Sequence, residues 1–160
     1  MDVIHPEIAK AKTLPSSYYT DESLYNSLLE KFSTTWNFVG HVSMLDQSTT
    51  IPVLIGNNPM MLTKDESGEF HCISNVCTHR GMVLTEGPTN RRTIKCPYHG
   101  RTFNLCGKLK YMPEFEQAEN FPSSSDDLPS NKVYNWHGLL FTNLQNDESF
   151  ESYISVVEER

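Results

Sequence analysis

The sequence predicts an all-β domain of small antiparallel sheets, with helices only near its two ends. Three observations carry this prediction. From Trp36 onward the apolar residues recur with a period of two, the pattern of half-buried strands. Turn residues interrupt that pattern at short intervals, at Asn57-Asn58-Pro59, at Glu66-Ser67-Gly68 and in the Gly-Pro stretch of residues 85–90. Helical spacing is confined to one segment after Thr20 and another after Asp147.

In chain order, residues 1–19 read as an irregular arm with Pro6 and Pro15 and little periodicity, expected to lie over another surface. Thr20 is placed to cap a helix, with Asp21 and Glu22 in its first turn. Leu24, Leu28, Leu29 and Phe32 then predict a packed helical face. Short strands are expected over 36–43, 51–55, 60–64 and 70–74, then over 91–95, 102–104 and 108–111. Residues 112–130, rich in Pro, Ser and acidic side chains, read as a long surface loop. A closing hairpin is expected over 132–136 and 138–143. A last helix begins at Asp147, with Phe150, Tyr153, Ile154 and Val157 on one face.

Two short loops carry the chemistry. They are Cys77-Thr78-His79-Arg80-Gly81 and Cys96-Pro97-Tyr98-His99-Gly100, a C-x-H and a C-x-x-H separated by sixteen residues. Two thiolates and two imidazoles are the donor set of a Rieske [2Fe–2S] centre, with the cysteines on one iron and the histidines on the other. The thiolate-held iron stays ferric and the imidazole-held iron takes the electron. Gly81 and Gly100 suit a chain turning tightly against a cluster, and Pro97 restricts the second loop before metal arrives. Zinc also accepts two cysteines and two histidines, but its sites usually begin with two closely spaced cysteines and end with two histidines. The strand-like runs on either side predict that both loops sit on hairpin-like connections of one small sheet. Cys72 and Cys106 read as small buried or half-buried thiols. His5, His41, His71 and His137 form no second metal pattern.

CTHRG and CPYHG, with the Phe103-Asn104-Leu105 and Gly107-Lys108-Leu109 that follow, resemble the Rieske domain of ring-hydroxylating oxygenase large subunits. So do Leu14-Pro15-Ser16-Ser17-Tyr18-Tyr19, Trp36-Asn37-Phe38-Val39-Gly40-His41 and Gly138-Leu139-Leu140-Phe141-Thr142-Asn143. The resemblance implies small Rieske-type sheets or a barrel, and Cys77, His79, Cys96 and His99 as ligands of one cluster. It divides the chain into an arm and helix (1–35), the Rieske domain (36–145) and a helix (146–160) leading to a catalytic domain absent from this chain. That domain would hold mononuclear non-haem Fe(II). The chain would accept electrons from a ferredoxin or flavin reductase. It would pass them to the catalytic domain or a neighbouring subunit, for hydroxylation of an organic substrate, aromatic compounds included. No catalytic residue is expected here, and the chain alone is expected to lack oxygenase activity. One departure stands out: Arg101 follows His99-Gly100 where the family commonly has Trp. With Arg101 in place of a hydroxyl donor, a potential at the low end of the Rieske range is expected, unless Tyr98 donates.

Composition narrows the alternatives. A chain of 160 residues, 38% hydrophobic and 21% charged, suits one globular domain. A net charge of −7 argues against non-specific nucleic-acid binding and is compatible with a basic redox partner. No signal peptide and no membrane span are read, and free thiols with an iron–sulfur site fit the cytoplasm. Two other functions stay open, a free-standing Rieske ferredoxin carrying electrons and a zinc-binding interaction module.

Overall fold

The computed structural model describes residues 5–115, 117–145 and 149–158. Its larger sheet has six antiparallel strands: β1 (Asn37–His41), β2 (Thr50–Ile55), β3 (Asn58–Lys64), β4 (Phe70–Ser74), β8 (Ser130–Trp136) and β9 (Leu139–Thr142). Their spatial order is β1-β9-β8-β4-β3-β2. The 3₁₀ turn Val42–Leu45 after β1 packs against both β1 and β2, so the two edges approach each other and the sheet is a nearly closed barrel. A second sheet of three short strands stands apart: β5 (Ile94–Lys95), β6 (Thr102–Phe103) and β7 (Leu109–Tyr111).

The site is therefore shared between two sheets, rather than carried by one as the sequence suggested. The first loop follows β4 of the barrel, and the second connects β5 to β6. What joins them is a core in the space between. β3 and β4 are covered on both faces, which is why Met60 to Thr63 are all buried. Met60, Leu62 and Cys72 point into the barrel with Val39, Ile51 and Leu140. Met61 and Ile73 point the other way, against Phe103, Leu105 and Leu109 of the small sheet. Strand side chains alternate faces, so a continuous apolar run here means two cores and not one.

Turn chemistry sets the hairpins. The β2–β3 turn is Gly56-Asn57, because Ile55 pairs with Asn58; Asn58 and Pro59 lie in β3 rather than in the expected turn. His137 and Gly138 both have positive φ and form the two-residue turn between β8 and β9. A Cβ on Gly138 would lie 2.6 Å from His41 Nε2, so this glycine is required twice over.

The helices depart most from expectation. Residues Ser17–Thr20 form one helical turn, α1, inside the arm expected to be irregular. The helix α2 (Glu22–Thr34) is capped by Asp21, not Thr20: the Asp21 carboxylate accepts the N–H groups of Ser23 and Leu24. Its expected packed face is not buried. No residue of α2 is buried, and Tyr25, Leu28 and Phe32 are about half exposed. The last helix, α3 (Phe150–Glu158), buries Phe150 and Ile154 against Trp36, Tyr134, Trp136 and Phe141. Tyr153 and Val157 of the expected face remain exposed; Asp147, its expected start, lies outside the described residues.

Phe103 is fully buried where the two sheets meet. Phe103→Ala should lower stability by about 3–5 kcal/mol. Phe38→Ala, at a largely exposed position, should change it by about 0.5 kcal/mol or less. Urea denaturation midpoints of the two variants check the contrast.

Candidate metal centre

The two loops have the same backbone design. In the first, Cys77 N–H donates to Met82 O (2.8 Å) and Gly81 N–H to Cys77 O (3.0 Å). In the second, Cys96 N–H donates to Arg101 O (2.8 Å) and Gly100 N–H to Cys96 O (3.0 Å). Each is a five-residue loop closed by the same pair of bonds at the same offsets. Gly81 and Gly100 occupy matching positions with φ of 69° and 74°. At Gly81 a Cβ would meet nothing within 4 Å, so the demand is for the left-handed conformation and not for close approach. The histidine stands third in one loop and fourth in the other.

The four sequence-predicted residues come together. Cys77 and Cys96 are both 3% exposed and belong to the core that joins the sheets. Cys77 is pushed above the usual thiol range, first by burial and then by the adjoining Cys96 thiol. The imidazoles lie outward, with ring centroids 4.9 Å apart; His79 is half-buried and His99 exposed. His79 is held below the usual imidazole range by burial, then by the charges of His99, Arg101 and Arg80. Tyr98 stacks on His99, with centroids 3.8 Å apart. A hollow of about 410 Å³ beside the rings is lined by His79, His99, Met112, Pro113 and Phe115.

This arrangement fits a two-metal cluster better than one ion. Tetrahedral zinc draws all four ligand atoms around a single point. Among the described residues, one group of three or more His, Cys, Asp or Glu ligand atoms lies within 4.8 Å of one another, and it is Asp65, Glu69 and His71. Cys77, His79, Cys96 and His99 are instead spread as a buried pair and an outer pair, as two irons with separate donor sets require.

The residues behind the loops were not legible in the sequence. Arg101 is 4% exposed, and its guanidinium donates to Thr78 Oγ1 (2.8 Å) and to Asp126 Oδ1 (3.1 Å). Thr78 Oγ1 in turn donates to the backbone carbonyl of Asp126 (2.7 Å). Asp126 comes from the 112–130 stretch, which is therefore anchored: Asp127 accepts from Lys108 Nζ and Leu109 N–H, and Leu128 is buried in the core. No local pattern marks contacts between residues 48 positions apart.

Asp65, Glu69 and His71 bring three possible ligand atoms within 4.8 Å of one another, a grouping around His71 that the sequence reading did not single out. Their geometry has its own explanation in the β3–β4 turn. Asp65 accepts from Ser67 N–H, Ser67 Oγ and Glu69 N–H, and His71 Nε2 lies 2.8 Å from its other oxygen. Cys72 is fully buried and its thiol is pushed up to about 12 by burial. Cys106, half-buried, donates to Asn104 Oδ1.

Comparison with known proteins gives a consistent result. Residues 35–122 match the family model of the Rieske [2Fe-2S] domain. The chloroplastic choline monooxygenase of Beta vulgaris is 30% identical over 94% of this chain and 34% of that protein. The anthranilate 1,2-dioxygenase large subunit of Acinetobacter baylyi is 30% identical over 85% of this chain and 30% of its own length. The quaternary ammonium Rieske monooxygenase CntA with L-carnitine superposes with a TM-score of 0.82 at 28% identity, over 94% of this chain and 44% of that one. Naphthalene 1,2-dioxygenase from Rhodococcus sp. gives 0.80 at 27%, over 89% and 34%. The chain thus spans about a third of the length of the curated relatives it matches.

The Asp65 turn makes a pH dependence. Burial raises the Asp65 pKa, but the hydrogen bonds from Ser67, His71 and Glu69 outweigh it and lower the value from 3.8 to about 2. A carboxylate depressed on folding stabilises the protein above its unfolded pKa and loses that contribution as pH falls through the folded one. Asp65→Asn should therefore cost about 1–2 kcal/mol at neutral pH. The difference from wild type should shrink between about pH 4 and pH 2, as read from urea midpoints across that window.

Proposed function

Because the chain belongs to the Rieske [2Fe-2S] domain family, we propose that Cys77, His79, Cys96 and His99 hold one such cluster and that the chain relays single electrons through it. The observation that carries the assignment is the pair of loops of identical backbone design, converging from two sheets with both thiols inward and both imidazoles outward. When bound, the cluster supplies reversible one-electron transfer at a potential set by its imidazole ligands.

The chain's own residues divide the work. The core around Phe103 keeps water from the thiol side and fixes the Cys77 and Cys96 backbones. The loop hydrogen bonds hold the two histidine rings near each other at the surface. His79 and His99 form the exposed edge, where an electron crosses to or from a partner. The hollow beside them and the stacked Tyr98 shape that contact.

The wider role rests on the relatives. This chain serves as the electron-accepting part of a Rieske non-haem iron oxygenase, supplied by a ferredoxin or flavin reductase in the cytoplasm. Its acceptor is a mononuclear iron in a catalytic domain or neighbouring subunit, and the product is a hydroxylated organic compound. The exposed apolar side chains of α2, Tyr25, Leu28 and Phe32, support a covering partner of that kind. Among the described residues no helix is long and apolar enough to cross a membrane.

Protein purified without oxygen should carry two irons and two labile sulfides per chain, as the cluster formula requires. It should be reduced by dithionite, reoxidised by air, and turn over neither aromatic nor quaternary-amine compounds alone. His79→Cys should lower the potential if a cluster survives, and Cys96→Ser should abolish assembly. One tightly held zinc and no iron after anaerobic reconstitution would defeat the assignment.

A further inference from the structure

Arg101 is a buried cation whose backbone and side chain serve different loops. Its carbonyl accepts Cys96 N–H and closes the second loop. Its guanidinium reaches across to the first loop and donates to the hydroxyl of Thr78, the residue between Cys77 and His79. Asp126 fixes the other arm of the guanidinium, and the Thr78 hydroxyl donates its own hydrogen bond to the Asp126 carbonyl. The three groups form a closed ring of hydrogen bonds. Nε points to Met112 sulfur at 3.4 Å, and the Phe121 ring lies 5.6 Å from the guanidinium carbon, so the remaining sides are sealed.

Filling this space with an apolar side chain would avoid the cost of taking a charge out of water. An arginine is therefore a poor choice for packing alone. It has two properties an apolar residue lacks, a planar fork that holds two acceptors in fixed directions and a permanent positive charge. Both act on the same place, the two loops that carry the four ligands.

We propose that Arg101 is a positioning residue for the cluster, locking the first ligand loop to the second through Thr78 and holding a positive charge beside the site that receives the electron. The inference rests on the ligand assignment above. Reduction adds one negative charge, so a fixed cation nearby favours the reduced state and raises the potential. Asp126 offsets part of that charge, but it is more exposed than Arg101, at 21% against 5% for the side chains, and so is better screened by water.

The test compares Arg101→Met, Arg101→Lys and Thr78→Val in the full chain. The readouts are iron and sulfide content, dithionite-titrated potential, the EPR spectrum of the reduced protein, and the rate of cluster loss to a chelator. Arg101→Met should lower the potential, shift the EPR signal and lose the cluster about tenfold faster, the scale of one lost charge-assisted hydrogen bond. Arg101→Lys should restore most of the potential but not the slow cluster loss, because an ammonium keeps the charge without the fork. Thr78→Val should also speed cluster loss with the charge in place, and it keeps the test decisive if Arg101→Met fails to fold. A wild-type potential and EPR spectrum in Arg101→Met, or wild-type cluster retention in both Arg101→Lys and Thr78→Val, would overturn the proposal. A wild-type chain that takes up no iron would instead overturn the ligand assignment, and the iron and sulfide count on wild type separates the two failures.

Discussion

The structure depends on one constraint: the two thiols are themselves members of the hydrophobic core. Cys77 and Cys96 pack in the same cluster as Met61, Ile73, Phe103 and Leu109. That core exists only because β3 and β4 present apolar side chains on both faces. One face closes the barrel and the other receives the three-stranded sheet. A small sheet with strands of two or three residues has little stability of its own. It is held by burying Phe103, Leu105 and Leu109 against the barrel, and the same burial sets where Cys96 stands relative to Cys77.

Local chemistry was readable wherever it depends on neighbours in sequence. The C-x-H and C-x-x-H spacings, the Ser67-Gly68 turn and the strand alternation each need only a few adjacent residues, and the strands lie where they were expected within one to three residues. What failed was anything set by distant partners. The alternation of β3 breaks because a second layer covers its far face; the short run Met60-Met61-Leu62 is compatible with that layer but does not say which residues supply it. Asp21 displaced Thr20 as the cap because a carboxylate can accept two N–H groups at once. The 112–130 stretch read as a solvated loop from its Pro, Ser and acidic content, yet its acids face Arg101 and Lys108. The apolar periodicity of α2 was real, but the described residues do not cover it.

Net charge is also a poor guide to the surface that matters. The chain is acidic as a whole, yet seven of its thirteen Lys and Arg residues lie between Cys77 and Tyr111, against one acid, Glu86. The segment carrying both loops and the small sheet is therefore basic. The whole-chain value of −7 reports residues elsewhere, so it gives no reason to look for a basic redox partner at the loops. Part of the local charge is spent internally, by Arg101 on Asp126 and by Lys108 on Asp127.

The burial gradient across the site gives it a direction. On the thiol side, 3% exposure at both cysteines means few water dipoles to respond to a change in charge. On the imidazole side, His99 is exposed and Tyr98 is stacked beside it, so solvent or a partner meets that end first. An added electron is most stable where the surroundings can polarise around it, and least stable among buried apolar groups. Were the proposed cluster bound by these residues, its extra charge would be better accommodated at the outer end, beside His79 and His99. The same two loops that bring Cys77 and Cys96 together in the core also turn His79 and His99 toward the surface.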